Sequence, residues 1–192
     1  MATPREVIDF WFDPRIEKLW FDRNEAFDAQ IRERFANLIG QAAAGQLASW
    51  EATAIGALAL VIALDQFPRN IHRESRLAFV ADPQARAVAH RAIGPGFDVA
   101  LPHSRRFFFY LPFERSEDAA DQDRSVALFR AWVEACPHEK RAEAEYYLVH
   151  ILRRQEIIQR FGRFPHRNAP PRPGDDVGRS SLPEGTALVV LR

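Results

Sequence analysis

Cysteine is nearly missing from this chain. Cys136 is the single one in 192 residues, which excludes an intramolecular disulfide and fits a reducing, cytoplasmic setting. Lysine is almost as scarce: Lys18 and Lys140 are the only two among 26 basic residues. Positive charge is therefore carried by arginine, whose planar fork suits bidentate contact with carboxylate or phosphate. An excess of either sign is absent too. The 26 basic residues balance 26 acidic ones, so no global field draws in nucleic acid or an anionic membrane. The longest apolar run, Ala54 to Leu64, is eleven residues, against about 20 for a membrane-spanning helix. Met1 is followed by Thr3, Pro4, Arg5 and Glu6 rather than by a basic stretch and an apolar core, so no secretory leader is expected. There is no HExxH, no glycine-rich phosphate loop, no GxSxG and no CxxC. No metal or cofactor is indicated, and Ser104, Ser116 and Cys136 have no neighbouring base that would mark a nucleophile.

Apolar and aromatic surface is what the chain has in quantity. Hydrophobic residues make up 47%, with 15 Phe and 4 Trp, against 27% charged; that is the composition of a folded chain, and its length suits one domain with a substantial core. Thr3, Pro4 and Glu6 place a hydroxyl at an N-cap, proline at N1 and a carboxylate at N3. The helix they open carries Val7, Ile8, Phe10, Trp11 and Phe12, and Asp13 with Pro14 is expected to end it. Phe27, Ile31, Phe35, Leu38 and Ala42 recur as one face of a second helix, with Gly45 as its stop. Thr53 caps a central helix, and Asp82 with Pro83 reads as N-cap and N1 of a helix reaching Ile93. Four aromatics from Phe107 to Tyr110 suit a short helix between Pro102 and Leu111, because no strand-like run lies nearby to pair with them. Asp118 to Ala135 and Pro137 to Phe161 are two more helices, the second closed by Gly162. Nothing alternates with period two. The expectation is a single all-α domain over residues 1–168, with about seven helices in antiparallel pairs. A Pro/Gly-rich extended tail follows over 169–192, whose last piece, Ala187 to Leu191, is apolar enough to dock on the body.

The central stretch runs from eleven apolar residues into Asp65 and Gln66. Pro68 is expected to stop the helix, so that Arg69, Asn70, His72 and Arg73 surface at its end. The same word returns late: Phe67-Pro68-Arg69-Asn70 is echoed by Phe164-Pro165-His166-Arg167-Asn168. Arginine and asparagine at a helix C-terminus can cap carbonyls and complement the dipole by about 0.3–1 kcal/mol, or they can face a ligand. Asp65, leaving a buried run, needs a partner, and Arg106, Arg160, Arg163 and Arg167 are the candidates. Glu114, Glu117 and Asp118 crowd around Arg115 and Ser116, either as a helix cap or as acid/base or metal groups. His150 wheels onto an apolar face with Tyr146, Tyr147 and Ile157, where a satisfied core imidazole is the ordinary outcome; His166, beside Arg163 and Arg167, is better placed to face solvent.

Taken together, VIDFWF, LALVIALDQFPRNIHR, FYLPFERSED and RFGRFPHRN resemble a bacterial family known only as domain of unknown function 924, over nearly the whole chain to Asn168. The resemblance implies an all-α fold similar to tetratricopeptide-like right-handed helical arrays, and no established activity. Two departures stand out. The family usually has histidine where this chain has Arg115, which removes an imidazole from any acid/base or metal arrangement there. Pro170 to Asp176 look inserted before Val177, and Ser181 to Gly185 replace the family's usual helix start.

Three readings remain open. In the first, the protein is a binding or interaction module. Asp65, Arg69, Asn70, Arg73, Arg106, Arg163, His166, Arg167 and Asn168 then line a polar cleft that takes the carboxylate or phosphate of a small anionic ligand or peptide. In the second, Glu114, Glu117, Asp65 and His150 serve a hydrolase-type enzyme in the same cleft. In the third, all these polar words tie helix ends together. The sequence does not indicate an oligomeric state.

Overall fold

Five of the eight described helices start on a side-chain cap. The structure is a computed structural model that describes residues 2–73 and 75–165; among these the regular elements are all helical. Helix α1, Pro4–Trp11, opens on the expected reciprocal cap, with Thr3 Oγ1 accepting from the Glu6 N–H and Glu6 Oε2 accepting from the Thr3 N–H at 2.7 Å. Asp13 and Pro14 end it and also start a further turn, α2, Pro14–Glu17, whose N-cap Asp13 accepts from the Arg15 N–H at 2.8 Å. That single turn brings the described helices to eight rather than about seven. Helix α3, Glu25–Ala43, buries the Phe27, Ile31, Phe35, Leu38, Ala42 stripe, and Gly45 follows at φ 73°.

Helix α4, Ala54–Ile71, is the centre of the fold. Thr53 caps it through the Gly56 N–H at 3.1 Å, and Gly56 passes so close to the Trp50 carbonyl oxygen that a Cβ would overlap it. The expected stop at Pro68 is corrected: the helix runs straight through. Residues Ile62–Gln66 widen into a π-helical stretch in which the Phe67 N–H reaches back five residues to Ile62 O. The ladder is thereby re-phased, and Pro68 falls in the first turn of the closing α-helical segment, Phe67–Ile71, where no N–H is needed. At 18 residues α4 is long and apolar enough to cross a membrane by length and composition, yet 83% of it is buried inside the protein.

Helix α5, Asp82–Ile93, has Ala81 rather than Asp82 at its N-cap, because the Asp82 carboxylate is committed elsewhere. Helix α6, His103–Glu114, extends beyond the expected Leu111 through Pro112, and the Arg115 N–H still bonds Leu111 O at 3.2 Å. Helix α7, Ala119–Glu134, is capped by Asp118, and α8, Arg141–Phe161, closes on Gly162 at φ 67°.

The packing follows two schemes. In the N-terminal half α1, α3, α5 and α6 all contact α4, with Phe67 wedged between Phe35, stacked at 4.9 Å, and Trp11, edge-on at 5.6 Å. In the C-terminal half α6, α7 and α8 pack chiefly as sequence neighbours.

Candidate functional site

Where α4 leaves its apolar run, charge is buried in a chain of ion pairs. Asp65 is fully buried, and its Oδ2 accepts from both Arg115 Nη1 and Gln66 Nε2; Oδ1 lies 3.4 Å from Arg69 Nη1 and has no hydrogen bond among the described residues. Burial alone would raise its pKa, but Arg115 and Arg69 outweigh that and hold the carboxyl below its usual range. Burial pushes the Arg115 guanidinium downward, with Asp65 offsetting part of the effect. Arg69 grips Asp82 in a two-armed pair at 2.8 and 2.9 Å and also donates to the carbonyls of Asp65, at 2.8 Å, and Ala78. One turn on, Asn70 donates to Asp28 Oδ1 at 3.1 Å, and Arg73 binds both oxygens of the same carboxylate.

The expected partners of Asp65 are thus replaced. Arg106 instead donates to the carbonyls of Leu101 and Val99, at 3.2 and 3.3 Å. Arg160 lies 5.0 Å from the Phe161 ring, Arg163 is exposed, and His166, Arg167 and Asn168 lie outside the described residues. The true partner, Arg115, follows the aromatic run of α6 just as Asp65 follows the apolar run of α4.

The FERSED stretch separates its carboxylates rather than gathering them. Glu114 turns inward to Arg154 at 2.7 Å, with Oε2 unbonded among the described residues; Glu117 accepts the Phe164 N–H at 2.8 Å; Asp118 caps α7 through Ala120 and Asp121. Gln122 holds the segment by donating to the carbonyls of Glu114 and Ser116, at 2.8 and 2.6 Å. Among the described residues no three of His, Cys, Asp and Glu are placed to hold a metal ion. His150 sits edge-on to Tyr146, its Nε2 buried without a hydrogen bond among the described residues, and burial with Arg153 and Arg154 nearby lowers its pKa. The late corner does return toward the central one: Phe164 is buried near Arg154, whose partner Glu114 adjoins Arg115, the partner of Asp65.

A cavity of about 550 Å³ opens elsewhere, between α1, α2 and α3, over Phe10, Ile16 and Leu19. Arg34 reaches across it with its guanidinium 4.6 Å from the Phe10 ring centre and 5.1 Å from that of Phe35, and forms no hydrogen bond among the described residues. Asp13 is fully engaged by Arg15 at 2.7 and 3.0 Å, which together with the Arg15 N–H brings its pKa down to about 2. Glu6 uses Oε2 for its cap and Asp9 uses Oδ2 for Arg5, leaving one oxygen of each unbonded among the described residues. The sequence pattern concealed this site because its residues lie on three elements and Arg34 sits one position before the buried Phe35.

Among curated proteins none matches the chain. A solved structure of a protein of unknown function from Agrobacterium tumefaciens is similar, at 38% identity and a TM-score of 0.75, covering 86% of this chain and 87% of that one. The sequence profile of a bacterial family of unknown function, DUF924, matches residues 7–184. With the helical body laid out above, that match makes the chain a member of the DUF924 family.

Proposed function

We propose that the protein is a binding module for a small zwitterion, an amino acid or short peptide with an apolar side chain, held in the cavity between α1, α2 and α3. The observation that carries this reading is Arg34, a guanidinium held over Phe10 at 4.6 Å with no hydrogen bond among the described residues. The rings of Phe10 and Phe35 hold the guanidinium in place by cation–π attraction, and a fork so held can meet a carboxylate with two parallel hydrogen bonds. Gln30 adds an amide at the same rim, the free oxygens of Glu6 and Asp9 suit an ammonium group, and Phe10, Ile16 and Leu19 take the apolar side chain. Arg69 and Asn70 are less suited to the ligand, since their donors already serve Asp82, Asp65 and Asp28. Acid/base catalysis is also less well supported, because Asp65 is kept ionised between arginines and Glu114 is paired with Arg154.

Calorimetric titration with L-leucine and leucyl-leucine tests the reading. Binding is expected, weaker for 4-methylpentanoate and for 3-methylbutylamine, which each lack one charge. Arg34→Ala is expected to lose about tenfold or more in affinity, the worth of a charged hydrogen bond of about 1.5–3 kcal/mol. No heat with any zwitterion, or unchanged binding by Arg34→Ala, would overturn it.

A further inference from the structure

Among the described residues helix α8 has core neighbours on one side only. Ala144, Ile151 and Ile158 are its buried residues, facing α7. At 100° per residue Tyr146, Val149, Arg153, Ile157, Arg160 and Phe161 fall in one sector about 120° wide, roughly 140° round the helix from that buried stripe. Tyr146 is 52% exposed, Val149 46% and Phe161 43%, and Arg153 and Arg160 are exposed between them. A helix that presents large apolar groups on the side away from its core ordinarily has something laid over them.

We propose that residues 187–191 of the same chain dock along the Tyr146–Phe161 face of α8 and close the open end of the helical stack. This segment, Ala187-Leu188-Val189-Val190-Leu191, is five consecutive apolar residues. The described chain reaches Pro165 next to the C-terminal end of α8, where Phe164 is buried and its N–H is held by Glu117. Residues 166–186 then join that point to the apolar segment. A 21-residue connector spans roughly 25 Å as a flexible coil and about 65 Å when extended by proline. The face from Phe161 back to Tyr146 is about 22 Å long. Either regime covers it, so the tethered segment meets the face at an effective concentration of order millimolar. A second copy at about micromolar concentration must bind roughly a thousandfold more tightly to compete. Asp175 and Asp176 fall about ten residues beyond Pro165, within reach of Arg160 and the exposed Arg163. The inference is independent of the cavity between α1, α2 and α3.

Two measurements on the full chain test it. In the first, Leu188→Asp with Val190→Asp is compared with the parent by backbone hydrogen exchange. The substitutions touch only the tail, so the body stays intact. Exchange across residues 146–161 is expected to rise about tenfold while α4 is unchanged, and a peptide of residues 185–192 added in trans is expected to restore protection. In the second, Val149→Cys with Val189→Cys, in a Cys136→Ser background, is expected to form a disulfide within one chain under mild oxidation. Exchange in α8 that ignores the tail substitutions, or cross-links found only between two chains, would overturn the proposal; the latter result assigns the face to a second copy.

Discussion

The Phe67-Pro68-Arg69-Asn70 word lies inside helix α4, and the similar Phe164-Pro165-His166-Arg167-Asn168 word follows the end of helix α8. Phe67 and Phe164 are both buried, each followed by proline. The polar groups after Phe67 meet Asp65 one turn back on α4 and Asp82 and Asp28 from other parts of the fold, whereas those after Phe164, His166 to Asn168, lie outside the described residues, and Arg163 just before it is exposed. An aromatic anchor is portable, because any apolar neighbour can bury it. An arginine is not: what it does depends on whether the tertiary structure delivers a carboxylate in line with its fork.

The contrast can be broken most forcefully at Arg115. Arg115→Leu leaves the Asp65 charge buried with only the more distant Arg69, and is expected to cost about 3–5 kcal/mol. Denaturant unfolding reads it, and adding Asp65→Leu should recover much of the loss, since removing both charges removes the unpaired one. A single-variant cost below about 1 kcal/mol would mean the pair is not what holds this centre together. Phe67→Ala is expected to cost about 3–5 kcal/mol, because Phe35 and Trp11 cannot both close on the space. Gly56→Ala, which drives a Cβ into the Trp50 carbonyl, is expected to cost about 1–3 kcal/mol and to shift the thermal midpoint downward.

Acid sharpens the same comparison. The Asp65 pKa is depressed in the folded state, so its stabilisation is complete above the unfolded value of about 3.9 and disappears as pH falls through the lower folded value. His150 on α8 is depressed too, but it is a base, so the unfolded chain binds the extra proton. Stability is then expected to decline as pH drops through about 6.5, and His150→Gln should flatten that slope in a pH series of thermal midpoints. The smallest effect is at Arg160→Ala on the outer face of α8, expected within about 0.5 kcal/mol of the parent by the same denaturant assay.

Much of the helical layout was legible because it depends on neighbours in sequence. The Thr3–Glu6 box, the Thr53 and Asp118 caps, and Gly45 and Gly162 act through groups within a few residues. Pro68 misled for the same reason. Read locally it stops a helix, but a π-helical stretch five residues long re-phases the ladder ahead of it, and nothing in the local pattern requires that stretch. Asp82 looked like a cap because it precedes proline; Arg69, thirteen residues earlier, takes it away.

The amino-acid order by itself determined an all-α chain, a central apolar helix and the need for Asp65 to find a cation, since burial, capping and charge cost are properties of short segments. Only the tertiary structure decided that Arg115 is that cation, that the FERSED carboxylates point apart, and that Arg34 stands open over Phe10. Pairing over 50 residues is a matter of which helices arrive side by side, and packing settles that after the local rules have been satisfied.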